Sequence, residues 1–351
     1  MKAGAHQFAY LDARVALLTR QLLHRPERAA LLTGNAGTVD GLLKKSGVWQ
    51  PQTTGETPEQ LEQRLARQLL DESLVLLRGM SASGRHFIEY WLRRFKIINL
   101  KFILRAKFSA MPRDAILPLL LDLGSLGSLP LQELVNTESV AEFLRHLQST
   151  DYGVLAYQAR KTFEAQRSLF DVEATLDAHY FHQLMYLATL WEGEQGRQCR
   201  LLLRTYLDQF NLIALLRFRL TYALSPPHTY FLLAPAGRYL PSELLQQLAQ
   251  QSSLRHVMDA LPQPLHDALA HADSIEDAEN IMRQRTRHQA SQILRHQHFS
   301  MARAFAYLYL REQQLRLLHT VLKGRMLNFD PELISRCGEP LTPPSPPTEA
   351  H

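Results

Sequence analysis

Cysteine is nearly absent: Cys199 and Cys337 are the two in 351 residues. They lie far apart, without metal-ligand spacing, in a chain long enough to bury a large core, so reduced thiols rather than disulfide staples are expected. Long apolar runs are missing too. The longest, Leu184 to Trp191, has eight residues, against roughly twenty for a helix that crosses a bilayer. The opening MKAGAHQFAYLDARVALL is charged where an export signal would be apolar, so no export signal is expected. No glycine-rich loop ends in Lys and Ser or Thr, which excludes a P-loop ATPase, and HExxH, GxSxG and the glycine-rich dinucleotide turn are also missing. Strand-like alternation is scarce, Leu and Gln are abundant, and 46% hydrophobic with 21% charged residues is ordinary globular composition. An all-α protein is expected.

Charge is present but uneven. The formal net charge is +5, and Trp91 to Lys107, WLRRFKIINLKFILRAK, carries Arg93, Arg94, Lys96, Lys101, Arg105 and Lys107 without one acid. Such a row suits an anionic partner, or forms a solvated face whose long stems cover apolar surface. Nucleic acid is the partner that the row alone would suggest, although few aromatic stacking residues stand near the bases. His179 and His182 are spaced to share a helix face near Asp177. They lack the third or fourth ligand that a metal site usually needs, so neither metal nor cofactor is expected.

The basic stretch recurs. Asn99, Leu100, Leu104 and Arg105 reappear 112 positions later as Asn211, Leu212, Leu216 and Arg217, with Lys107 matched by Arg219. At 100° per residue Phe95, Asn99, Phe102 and Ile103 share one face, as do Leu207, Asn211, Ala214 and Leu215, so both stretches read as amphipathic helices with an asparagine in mid-stripe. Gly127, Glu133, Leu134, Leu144, Arg145 and His146 return 110 positions on as Gly237, Glu243, Leu244, Leu254, Arg255 and His256. Two blocks in the same order argue for a duplicated helical unit. Buried Asn99 and Asn211 are expected to have structural roles, since an unpaired buried amide costs about 1–3 kcal/mol.

In chain order, helices are expected over Phe8 to Leu23, around Gly41 to Lys45, over Glu59 to Arg78 after a start at Thr57 or Pro58, and over Ser83 to Lys107. Pro130 and Thr137 read as further starts. A long helix follows Val154, a second signature helix runs to Tyr222, and Pro226 to Gly237 reads as a loop. Basic and apolar helices then occupy Ile281 to His298 and Phe299 to Lys323, capped at Gly324. Units at 1–125, 126–236 and 237–339 are expected, with a disordered proline-rich tail at 340–351.

With these marks in place, the chain resembles the C subunits of bacterial and archaeal V/A-type rotary ATPases, whose counterpart in the eukaryotic vacuolar enzyme is its d subunit. The resemblance rests on Tyr10-x-x-Ala13-Arg14-Val15, Asn99-Leu100 to Arg105, Leu176-Asp177-x-x-Tyr180-Phe181, Asp208-x-x-Asn211-Leu212 to Arg217, Pro235-x-Gly237 and Tyr309-Leu-x-x-Glu312 to Gly324-Arg325. Order and spacing carry it, not any single mark. It implies three similar helical units around a pseudo-threefold axis, a funnel on the cytoplasmic mouth of a proton- or sodium-carrying rotor ring of proteolipid subunits. The D and F shaft subunits would enter the other side. No catalytic residue is implied. Arg93, Arg94, Lys101, Arg105, Arg217 and Arg219 are the residues expected to line or border the opening. Two departures stand out: Leu317, Leu318 and His319 replace an Asn-Leu-Arg run in the third unit, and Lys96 stands where the second unit has Asp208.

Overall fold

The computed structural model describes residues 2–48, 56–124, 129–150, 152–166, 169–330 and 332–334. Among them every regular element is helical: α1 (Lys2–Thr19), α2 (Arg25–Thr33), α3 (Ala36–Lys45), α4 (Pro58–Leu77), α5 (Ala82–Phe108), α6 (Arg113–Ile116), α7 (Leu131–Asn136), α8 (Val140–Leu147), α9 (Gly153–Gln166), α10 (Leu169–Thr189), α11 (Gly193–Leu216), α12 (Pro226–Phe231), α13 (Ser242–Leu248), α14 (Leu254–Asp259), α15 (Leu265–Leu269), α16 (Ile275–His296) and α17 (Met301–Met326). They form two compact units, Met1–Ser81 with Gln263–His351, and Ala82–Pro262. The tail from Pro340 lies outside the described residues.

The first unit is built on α17, which packs against α16, α4 and α1. Every residue from Met301 to Leu315 is buried. A helix covered on all sides is usually apolar all round, yet this one encloses Arg303, Arg311, Glu312, Gln313 and Gln314. Their partners explain it. Arg311, with a fully buried side chain, meets Glu72 of α4 at 2.7 Å and donates to the Ser46 carbonyl at 2.8 Å, while the Tyr307 hydroxyl donates to Glu72 at 2.6 Å. Gln314 Nε2 donates to Gln21 O (2.9 Å), and its Oε1 accepts from Leu23 N (2.6 Å). Arg325, near the end of α17, donates to Gly34 O between α2 and α3.

In the second unit α10 lies against α9, α5 and α11, and α8 against α9 and α5. Asn99 Nδ2 donates to Leu121 O (2.9 Å) and its Oδ1 accepts from Leu121 N (2.8 Å). Asn211 does the same one repeat later, donating to Pro235 O (3.0 Å) and accepting from Ala234 N (2.9 Å). Gln314 therefore supplies a third amide clamp, one helical turn before Leu317. The polar position that sequence alone reads as lost has moved to the neighbouring turn, and the segment it grips comes from the chain's opening residues. Lys107, Arg219 and Arg325, the corresponding bases of α5, α11 and α17, each donate to a backbone carbonyl: Val135 and Thr137, Leu224, and Gly34.

The helix ends repeat as well. Ala110 follows α5 at φ 54° and Asn328 follows α17 at φ 55°. In both, the next N–H reaches back five residues, Met111 to Ala106 O and Phe329 to Gly324 O, each at 2.8 Å, which is the Schellman closure. After α11 the left-handed residue is Ala223 (φ 53°), one position late. The π-helical turn Arg217–Thr221 accounts for the extra residue.

Several expected boundaries change. Pro226 to Gly237 is not all loop: Pro226 and Pro227 occupy the first turn of α12, where a missing N–H costs nothing. Gly324 lies inside α17 rather than capping it, with Ile334 packed where a β-carbon would stand, 2.6 Å from Ile334 Cγ1. Ser139, not Thr137, caps α8, accepting from Glu142 N at 3.2 Å. Thr57 caps α4 as expected, and Gln60 completes the reciprocal pair.

Candidate functional site

The basic stretch lies on α5, and its charges are engaged within the second unit. Lys101 and Arg105, one turn apart, meet Asp177 and Glu173, one turn apart on α10 in reversed order. Lys101 Nζ is 2.5 Å from Asp177 Oδ2, and Arg105 binds Glu173 through Nε (2.6 Å) and Nη2 (2.5 Å). Burial pushes the Asp177 carboxyl up, against the pull of Lys101. Arg105 is held above the usual arginine range chiefly by its hydrogen bond to Glu173, although its own side chain is 65% exposed.

Arg93 and Arg94 are stacked rather than solvated. The Arg93 guanidinium carbon stands 4.9 Å from the Tyr90 ring centre and 6.0 Å from that of Tyr152. That of Arg94 stands 3.9 Å over Trp91, and its Nη1 donates to Trp91 O at 3.2 Å. Such contacts fix the cations against aromatic faces. Arg217 is exposed and opens the π-helical turn, and Arg219 is half-buried against Leu224 O. Four of the six candidates thus lie on α5, two lie in the π-helical turn that follows α11, and Arg105 with Arg217 are the exposed pair.

Asn211 holds Ala234 and Pro235, which help to line a cleft of about 490 Å³. Asp208, only 1% exposed, accepts from Tyr239 N (3.0 Å) and Leu240 N (3.0 Å). Gly237 is needed here, because a β-carbon would come within 2.1 Å of Asp208 Oδ1. The lining of that cleft also includes Pro226, Tyr230 and Phe231 of α12 and His182 of α10. Lys96 replaces this acid in the first repeat, so the second clamp belongs to α11 alone.

Burial raises the Asp208 carboxyl to about 6, outweighing the backbone N–H groups that lower it. Because the folded value lies above the ordinary one near 4, the resulting stabilisation is present below about pH 4 and is lost as pH rises through about 6. Asp208→Asn is expected to flatten the dependence of the urea midpoint on pH between 4 and 7. Identical slopes in both proteins would sink the assignment.

His179 and His182 form no metal site with Asp177, whose carboxylate is tied to Lys101. Burial, then the neighbouring His182, lowers the His179 imidazole. Among the described residues no three His, Cys, Asp or Glu side chains converge as metal ligands. A further pair escaped sequence reasoning: buried Asp171, 2% exposed, is 2.5 Å from Nε2 of half-buried His228 of α12. Its partners stand 57 positions apart, where no periodicity connects them.

A family model described as ATP synthase (C/AC39) subunit matches residues 11–337. The C subunit of the A-type ATP synthase of Methanocaldococcus jannaschii is 22% identical over 340 residues, 93% of this chain and 85% of that protein. That of Methanococcoides burtonii is 22% identical over 340 residues, 94% of each. That of Haloferax volcanii is 25% identical over 281 residues, 78% of each.

Proposed function

Since this chain belongs to the ATP synthase (C/AC39) subunit family, we propose that it is a non-catalytic central-stalk subunit of a V/A-type rotary ATPase, coupling the D and F shaft subunits to the membrane rotor ring during ion transport. The observation that carries the reading is the threefold recurrence of one device: a long helix, an amide clamp on the segment beside it, a basic side chain on a backbone carbonyl, and a left-handed terminal residue. A part that transmits torque must not deform under load. Clamps on buried backbone groups resist deformation better than exposed ion pairs, which are worth only about 0–1 kcal/mol each.

Three similar units around a pseudo-threefold axis, making a funnel, are part of the proposal, as is the division near 125, 236 and 339. The protein sits on the cytoplasmic face as a peripheral component. No helix among the described residues is long and apolar enough to cross a membrane, which agrees with that place. The rival reading of a nucleic-acid scaffold loses its motive, because Arg93, Arg94, Lys101, Arg105 and Lys107 are engaged within the chain.

Within this proposal Arg105 and Arg217 border the shaft opening. Arg105→Glu combined with Arg217→Glu is expected to weaken shaft binding at least tenfold at low salt, less at high salt, with helicity intact. Glu173→Gln serves as the control for the lost internal pair. Unchanged binding overturns the residue assignment but not the role. The role itself is tested by tagging the chain beyond Pro340, solubilising membranes gently and identifying what co-purifies. A proteolipid ring with shaft and ATPase subunits is expected, and recovery of the chain alone refutes it.

A further inference from the structure

The turn between α16 and α17 holds Phe299 in the left-handed region, at φ 54°, with its side chain 57% exposed. A bulky residue seldom adopts that conformation, and a surrounding structure must impose it. The residue at the corresponding sequence position is Gly193, the first of α11, at φ 69°, for which the conformation carries no steric cost. Both stand eighteen positions before the site shared by Asn211 and Leu317. The first unit therefore keeps a strained aromatic where a glycine serves in the second.

The strain is imposed from below. Phe299 N donates to Asp12 Oδ1 of α1 at 3.0 Å. Arg303, 8% exposed, pairs with the same carboxylate, and its Nε donates to Leu294 O at 3.1 Å. Ser300 caps α17, accepting from Arg303 N at 3.2 Å. These bonds fix the backbone and leave the ring outward. Exposed Arg295, His296 and His298 flank it, and His298 Nδ1 lies 3.9 Å from Asp12 Oδ2. Arg295 and His296 complement the carbonyl end of α16, but that role needs no phenyl ring and no left-handed residue.

We propose that this turn is a docking point for an acidic segment of a partner polypeptide, which takes the Phe299 ring into an apolar socket while Arg295, His296 and His298 meet its carboxylates. Aromatic residues and arginine are enriched at interfaces, and holding the ring in one conformation lowers the entropy lost on binding. The inference goes beyond the coupling role but rests on it, since the partner is sought within the assembled complex; recovery of the chain alone would refute that role, whereas an intact complex without the adduct would refute this docking point.

The test uses the full chain in its assembled complex in native membranes, with photoreactive benzoylphenylalanine at position 299. The expected adduct lies in a segment rich in Asp and Glu on another polypeptide, and it falls at least tenfold when Arg295→Glu and His298→Glu are combined. Phe299→Gly supplies the second arm: the isolated variant is expected to melt about 2 °C higher because the strain is gone, while its retention in the complex falls about tenfold. Adducts confined to lipid or to this chain, or wild-type retention of Phe299→Gly, would overturn the proposal. A lower melting temperature for that variant would do so as well, by showing the ring to be structural.

Discussion

Arg311→Met is expected to destabilise the chain by about 3–5 kcal/mol, the usual cost of leaving one member of a buried ion pair alone. Glu72 is 5% exposed and Arg311 is fully buried, so neither can turn to water when its partner is removed. The substitution also frees the Ser46 carbonyl and leaves the Tyr307 hydroxyl beside an uncompensated carboxylate. Burial and the negative charge of Glu72 already hold the Tyr307 hydroxyl well above the ordinary tyrosine range. Equilibrium urea unfolding followed by circular dichroism measures the loss. Combining Arg311→Met with Glu72→Met should recover much of it, since two apolar side chains of similar volume often replace a buried pair without penalty. A double variant no better than the single would show that packing around α17, not charge, is the dominant contribution.

Removing an amide clamp should have the next largest effect. Asn99→Ala leaves the N–H and C=O of Leu121 without their partner, and Asn211→Ala does the same to Ala234 and Pro235. Each buried group left unsatisfied costs about 1–3 kcal/mol, so each variant should lose about 2–4 kcal/mol. Gln314→Ala, which frees Gln21 O and Leu23 N, should lose a comparable amount. Equality is the informative outcome, because it would establish that one turn of displacement along the helix preserves the device. A Gln314→Ala loss below about 0.5 kcal/mol, the size of an ordinary surface substitution, would refute the third clamp.

Much of this architecture was legible in the amino-acid order, and the parts that were not share a cause. The long helices announced themselves through apolar periodicity, and Thr57 and Pro130 marked starts because capping is local. The recurrence of Asn99 as Asn211 marked a repeated pair of buried amides. What no periodicity records is which distant group a polar side chain will meet. Lys101 and Asp177 are 76 positions apart, Arg311 and Glu72 are 239 apart, and Gln314 and Leu23 are 291 apart. For the same reason Asn99 and Asn211 could be recognised as buried amides without their partners, and Gln314, outside the repeated motif, could not be recognised at all. The row of bases was the least decisive feature. Read along the chain it suited either an anionic partner or a face that covers apolar surface, and only the reversed pairing of α5 with α10 shows which acids meet Lys101 and Arg105.

The grip of Gln314 on Gln21 and Leu23 has a consequence for biosynthesis. As the chain emerges from the ribosome, α1 and the segment that Gln314 grips appear early and α17 nearly last, so they must wait through more than 250 intervening residues. Residues 82–262 form a compact unit from one continuous stretch and are expected to collapse before the unit that joins the two chain ends, since contacts closer in sequence form faster. Nascent chains arrested before Met301 should therefore show a protease-resistant middle and a susceptible beginning. Release of α17 is then the step that locks the two ends together, which makes the last long helix to be translated the one that completes the first-made structure.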